Sequence, residues 1–149
     1  MLTARDIMTK KIHTVTPEMS VDDLARAFVE KKVSTLPVVD AAGRLVGIVS
    51  ATDLIEQDKP LHIPTVVAIF DMVIYLEREK NFRDEVKKMT ARTVGEICKR
   101  EVVTCSPEME VAAIAAVMTE KKVHLLPVVE DGKLVGVVGR HDILRSMNL

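Results

Sequence analysis

The block Thr14-Val15-Thr16-Pro17-Glu18-Met19 returns ninety positions later as Thr104-Cys105-Ser106-Pro107-Glu108-Met109. A chain that repeats itself at a fixed offset is built from copies of one supersecondary unit, and this constrains its fold more than any local propensity does. The offset holds for Glu30-Lys31-Lys32-Val33 against Glu120-Lys121-Lys122-Val123, and for Leu36-Pro37-Val38-Val39 against Leu126-Pro127-Val128-Val129. It then shortens by one residue where Asp40-Ala41-Ala42-Gly43 faces Glu130-Asp131-Gly132. Glycine on both sides and strand-like runs around it make that place a hairpin turn, which tolerates a change of length where a strand does not. Beyond it Leu45-Val46-Gly47-Ile48-Val49 matches Leu134-Val135-Gly136-Val137-Val138, and each copy closes on an aspartate, Asp53 in one and Asp142 in the other.

Within a copy the apolar positions Val21, Leu24, Ala25 and Phe28, and their counterparts Val111, Ile114, Ala115 and Met118, follow helical spacing. Ser20 and Asp23 form a capping signature for the first of these helices. Leu36–Val39 and Arg44–Val49 are β-branched runs that read as paired strands, and helical spacing resumes after each aspartate. Each copy is therefore strand, helix, two strands, helix. Thr3-x-x-Asp6 and Thr93-x-x-Glu96 place a short capped lead-in helix ahead of each. About fifty residues bury little surface alone, so the two copies are expected to act as one folded module. With 48% hydrophobic residues, 3% aromatic residues and no tryptophan, the core has to be aliphatic, as it is between helices and sheets in α/β and α+β proteins.

These blocks resemble the CBS (cystathionine-β-synthase) domain family. The resemblance is carried by Asp6-Ile7-Met8, by the Thr14-Val15-Thr16-Pro17 turn, by Val33-Ser34-Thr35-Leu36-Pro37-Val38-Val39-Asp40 and by Gly47-Ile48-Val49-Ser50-Ala51-Thr52-Asp53-Leu54, each repeated in the second copy. It covers residues 3–56 and 93–147. It implies a Bateman module, two β-α-β-β-α repeats related by pseudo-twofold symmetry, divided here as 1–56, an insertion 57–92, and 93–149. It further implies clefts that hold AMP, ADP, ATP or S-adenosylmethionine, no obligatory cofactor, and pairing of the module into a homodimer.

In the family the aspartate closing the Gly-h-h-Ser/Thr-x-x-Asp block binds ribose, and one carboxylate can accept hydrogen bonds from two vicinal hydroxyls. Spacing alone reads Asp53 and Asp142 equally as caps of the helices they open. Ser50 supplies a hydroxyl for a phosphate or simply ends a strand. The second copy has Gly139 there, followed by Arg140 and His141, which are either an exposed pair or a polyphosphate seat. The resemblance assigns adenine to Thr16, Val33 and Ser34 and to Ser106, Val123 and His124. It joins the first three to Asp142 and the last three to Asp53 and Ser50, so the two sites should differ in affinity. His124 is either a stacking partner or a spacer beside an apolar run.

Residues 57–92 hold Phe70, Tyr75 and Phe82, three of the four aromatic residues, and are too apolar for a solvated linker. The spacing predicts a helix over His62–Leu76 and an apolar face at Phe82, Val86 and Met89. This insertion either lies at a dimer interface or covers the monomer's own core.

Other functions find little support. A formal net charge of −1 with mixed signs argues against a nucleic-acid partner. Histidines 13, 62, 124 and 141 are dispersed, and no nucleophile triad or metal motif is present, which argues against an enzyme. Cys98 and Cys105 stand where the first copy has Met8 and Val15, and read as small buried hydrophobes. Without a leader at Met1–Lys10, and with the longest apolar stretch, Ile63–Leu76, broken by Pro64 and Asp71, a cytoplasmic protein with no membrane span is expected. A regulatory module needs a regulated partner protein, and the sequence does not identify it. The competing reading is a dimerisation or interaction scaffold that binds no ligand.

Overall fold

The computed structural model describes residues 1–55 and 92–147. The expected helix at 62–76, the apolar face at 82–89 and nearly all of the proposed insertion lie outside the described residues.

The first copy runs α1 (Ala4–Ile7), α2 (Val21–Lys31), β1 (Thr35–Val39), β2 (Leu45–Ser50) and α3 (Ala51–Ile55). The second runs α4 (Val94–Ile97), α5 (Val111–Lys121), β3 (Leu125–Glu130), β4 (Lys133–Gly139) and α6 (Arg140–Ser146). β1 pairs with β2 and β3 with β4. The leading strand of each copy shrinks to one residue, Val15 bridging in parallel to Val38 and Cys105 to Val128. Prolines close by, Pro17 and Pro107, cannot extend a ladder.

The two lead-in helices carry their expected caps. The Asp6 carboxylate accepts from the Thr3 N–H at 2.9 Å and from its hydroxyl at 3.1 Å, which holds the Asp6 pKa below the usual carboxylate value. The Glu96 carboxylate likewise accepts from the Thr93 N–H at 3.4 Å and from its hydroxyl at 3.2 Å. At α2, Ser20 Oγ accepts from the Asp23 N–H at 3.3 Å. The two hairpin turns solve one problem with different chemistry. Asp131 and Gly132, at φ 54° and 81°, make the tight two-residue turn whose twist matches the strands. The longer turn uses Asp40, whose Oδ1 accepts from the N–H groups of Ala42 and Arg44 at 2.9 Å each.

The described residues gather into two compact units, and neither coincides with a sequence repeat. One contains residues 1–13, 39–45 and 101–147; the other contains 14–38, 46–55 and 92–100. The lead-in of each copy therefore belongs to the core of the other. In the first unit Ala4 is buried with Cys105, Ile114, Met118, Leu126, Val128 and Val138, and Ile7 and Met8 pack on them. In the second, Val94 and Ile97 join Val15, Val21, Leu24, Phe28, Leu36, Val38, Val49 and Leu54. Each fully buried aliphatic side chain of this kind contributes roughly 1.5–3 kcal/mol.

The α2 stripe is buried as its spacing predicts, at Val21, Leu24, Ala25 and Phe28. On α5 only Ile114 and Met118 are buried, and Val111 and Ala115 stay partly exposed. Ala4 of one lead-in shares the α5 core, as the larger Val94 of the other shares the α2 core.

Candidate functional site

The lead-ins reach the hairpins through paired backbone bonds. Thr9 and Val137 exchange N–H···O bonds of 2.8 and 3.0 Å, and Lys99 and Ile48 exchange two of 2.9 Å. This added strand residue forces the neighbouring lead-in side chain against a glycine. A methyl built on Gly136 would lie 2.5 Å from Met8 Sδ, and one on Gly47 would lie 2.9 Å from Cys98 Sγ. The two glycines are the price of that close approach.

One residue further on, the same strand residue delivers a polar side chain to the aspartate at the end of the hairpin. In the second unit Asp53 is 6% exposed. Its Oδ2 accepts from the Ser50 N–H at 2.7 Å and the Ser50 hydroxyl at 3.2 Å, while Ser50 Oγ accepts from the Asp53 N–H at 3.3 Å. This reciprocal box satisfies the free donors at the start of α3. Its other oxygen, Oδ1, lies 3.7 Å from Lys99 Nζ. In the first unit Asp142, also 6% exposed, accepts from the Gly139 N–H through Oδ2 at 2.7 Å. Its Oδ1 accepts from the Thr9 hydroxyl at 3.0 Å and from Arg145 Nη2. The capping role read from spacing is thus met in both copies, and it occupies one carboxylate oxygen in each.

The remaining candidates fall around these caps. Ser34 is drawn to the Asp53 cap, its carbonyl accepting from the Ala51 N–H at 2.9 Å. Val33 is half-buried against the core. Thr16 and Ser106 are exposed and open the turns that follow Val15 and Cys105, their carbonyls accepting from Met19 and Met109 at 3.2 Å each. Val123, His124 and Arg140 come together in a groove of about 510 Å³ between α5 and α6, with Met118, Ile143 and Leu144. Arg140 and His141 are exposed on the first turn of α6. Asp142 does not line that groove, so the second copy's candidates divide between two places.

Sequence reasoning missed Thr9, Lys99 and Arg145. Thr9 and Lys99 stand ninety positions apart, at equivalent places in the two lead-ins. The repeat offset was the only signal that could have linked them. Cys105 is poorly placed as a nucleophile: burial pushes its thiol up to about 11, far from a thiolate. Among the described residues no cluster of His, Cys, Asp and Glu could hold a metal ion, and no helix is long and apolar enough to cross a membrane.

The family model of the CBS domain matches twice, over residues 4–59 and 94–149. The chain belongs to the CBS domain family. This CBS pair is 28% identical over 151 residues to an uncharacterized protein of Methanocaldococcus jannaschii, covering 96% of this chain and 89% of the relative. It is 32% identical over 154 residues to the CBS domain-containing protein CBSX2 of Arabidopsis thaliana, a chloroplastic protein, covering 97% of this chain. The CBS pair spans 63% of the length of that relative. The crystal structure of CBSX2 in complex with AMP superposes with a TM-score of 0.73 at 30% identity, covering 99% of this chain and 97% of the other. CBS-pair proteins are in general regulatory, and the mixed α/β fold expected from the repeats is the fold found.

Proposed function

We propose that this CBS pair is a regulatory module that binds an adenosyl ligand, AMP, ADP, ATP or S-adenosylmethionine, and passes its state to a partner protein without catalysing a reaction. The observation that carries this reading is the pair of buried carboxylates, Asp53 and Asp142, each with one oxygen fixed by a helix cap and the other facing exposed side chains, Lys99 at Asp53 and Thr9 and Arg145 at Asp142. An oxygen so placed is preorganised to accept ribose hydroxyls once those side chains move aside. The AMP complex of CBSX2 supports the choice of ligand class. Ser50, Arg140 and His141 are the proposed phosphate-side donors, and Thr16, Val33, Ser34, Ser106, Val123 and His124 the proposed surroundings of adenine. We place the module in the cytoplasm as a homodimer. The exposed apolar side chains of Ala112, Ala113 and Ala116 on α5, of Leu144 on α6 and of Met147 just after it are of the kind that pairing covers.

Thermal unfolding with AMP, ADP, ATP and S-adenosylmethionine tests the proposal. A ligand at a hundred times its dissociation constant stabilises by about 2.7 kcal/mol. Asp53→Ala and Asp142→Ala should each remove part of that gain. If no ligand shifts the transition, the module is an interaction scaffold instead.

A further inference from the structure

The two carboxylates are held in different ways, and the difference lies at one repeated position. In each unit the free oxygen of the aspartate is engaged by the lead-in residue that also hydrogen-bonds the hairpin backbone. At Asp53 this residue is Lys99, whose ammonium stands off at 3.7 Å with the side chain 64% exposed. At Asp142 it is Thr9, whose hydroxyl donates at 3.0 Å, and Arg145 from the next turn of α6 donates to the same oxygen. A ribose hydroxyl can take Oδ1 only by displacing what is already there. An exposed, loosely placed ammonium gives way easily, because water solvates it as it leaves. A hydroxyl that donates directly to the charged oxygen holds it more tightly, and Arg145, although 67% exposed, adds a second donor to the same oxygen.

We propose that Thr9 and Lys99 are latches on the two ligand carboxylates and that they set an order of occupancy. Asp53 takes its ribose first, and Asp142 takes one only when Thr9 and Arg145 let go. This rests on the adenosyl-binding reading above and adds regulation to it. Thr9 and Lys99 are positioning residues that act through the aspartates. Occupancy of the Asp142 site also has a structural output, because releasing Thr9 removes the side-chain bond from the 1–13 segment to α6, while its backbone bonds to Val137, Pro107 and Met109 and the Arg5 ion pairs stay.

Isothermal titration of the full chain with AMP, and in a parallel arm with S-adenosylmethionine, tests the order. The wild type should show one tight site, lost in Asp53→Ala, and a weaker one, lost in Asp142→Ala. Thr9→Val changes no charge and should tighten the weaker site several-fold. Combined with Arg145→Gln it should tighten that site by about tenfold, the effect of one hydrogen bond to a charged group. Thr9→Ser keeps the hydroxyl and should leave both sites as they are. Equal sites in the wild type, a tight site lost in Asp142→Ala, or an unchanged weak site in Thr9→Val with Arg145→Gln each overturns the latch while the adenosyl reading stands. If the wild type binds neither probe, a site that appears in the double variant shows the latch closed. Binding to neither protein removes both proposals together.

Discussion

At Gly136 the space for a side chain is already filled. Its missing Cβ would meet Met8 Sδ at 2.5 Å and Met8 Cγ at 2.9 Å, all side-chain atoms of one flexible residue. At the equivalent Gly47 the nearest atoms are Cys98 Sγ and the Lys99 carbonyl oxygen, both at 2.9 Å, and the carbonyl belongs to the backbone pair with Ile48. Gly136→Ala should destabilise by about 1–3 kcal/mol through overpacking. In Gly136→Ala with Met8→Ala the loss should fall short of the sum of the two single changes, because the clash disappears with Met8. Gly47→Ala should be rescued far less by Cys98→Ala, since the carbonyl remains. Chemical denaturation of the two cycles measures both couplings, and equal rescue at the two glycines would contradict this account. The same residues show where sequence reading stopped. Asp53 and Asp142 stood out because each ends a repeated block. Thr9 and Lys99 did not, because they differ from each other and their contact spans a distance along the chain that no local pattern reports: Thr9 and Asp142 are 133 residues apart.

Helices and hairpins were the legible scale, because their signals are local. Capping boxes, helical spacing on α2 and the turn glycines all lie within a few residues of what they determine. Burial was less legible: α5 carries the same spacing as α2, yet only Ile114 and Met118 of its stripe are buried, in a core that includes Ala4 from the far end of the chain. One local feature runs against propensity. Lys32 and Lys122 end α2 and α5 in the left-handed region, at φ 55° and 56°, where a side chain costs roughly 1–2 kcal/mol and glycine fits freely. Lys122→Gly should therefore stabilise by about 0.5–1 kcal/mol, net of the greater backbone freedom that glycine has when unfolded. A thermal melt checks it, and a lower Tm would show that Lys122 makes a stabilising contact.

For the whole molecule, the repeats of the sequence and the units of the structure are two different divisions. Copy number could be read from the ninety-residue offset. The exchange of lead-ins could not, since Thr3–Ile7 and Thr93–Ile97 carry the same kind of capping signal and neither says which hairpin it will join. Residues 1–13 bring Ala4, Ile7 and Met8 to a core otherwise made by the second copy. Their deletion should destabilise that unit by about 2–5 kcal/mol, on the scale of losing a large buried side chain. A peptide of residues 1–13 added in excess should restore part of the loss. Circular dichroism melts of the truncated chain, with and without the peptide, measure both effects. An unchanged melt would mean that the lead-in adds nothing to the core.

The exchanged lead-ins give the covalent joint between the copies a thermodynamic role. Two separate single copies would have to trade arms as a swapped dimer does, and their stability would rise and fall with concentration. Fused into one chain, they trade arms within a single molecule, so the partner's effective concentration is set by the tether and dilution cannot undo the exchange.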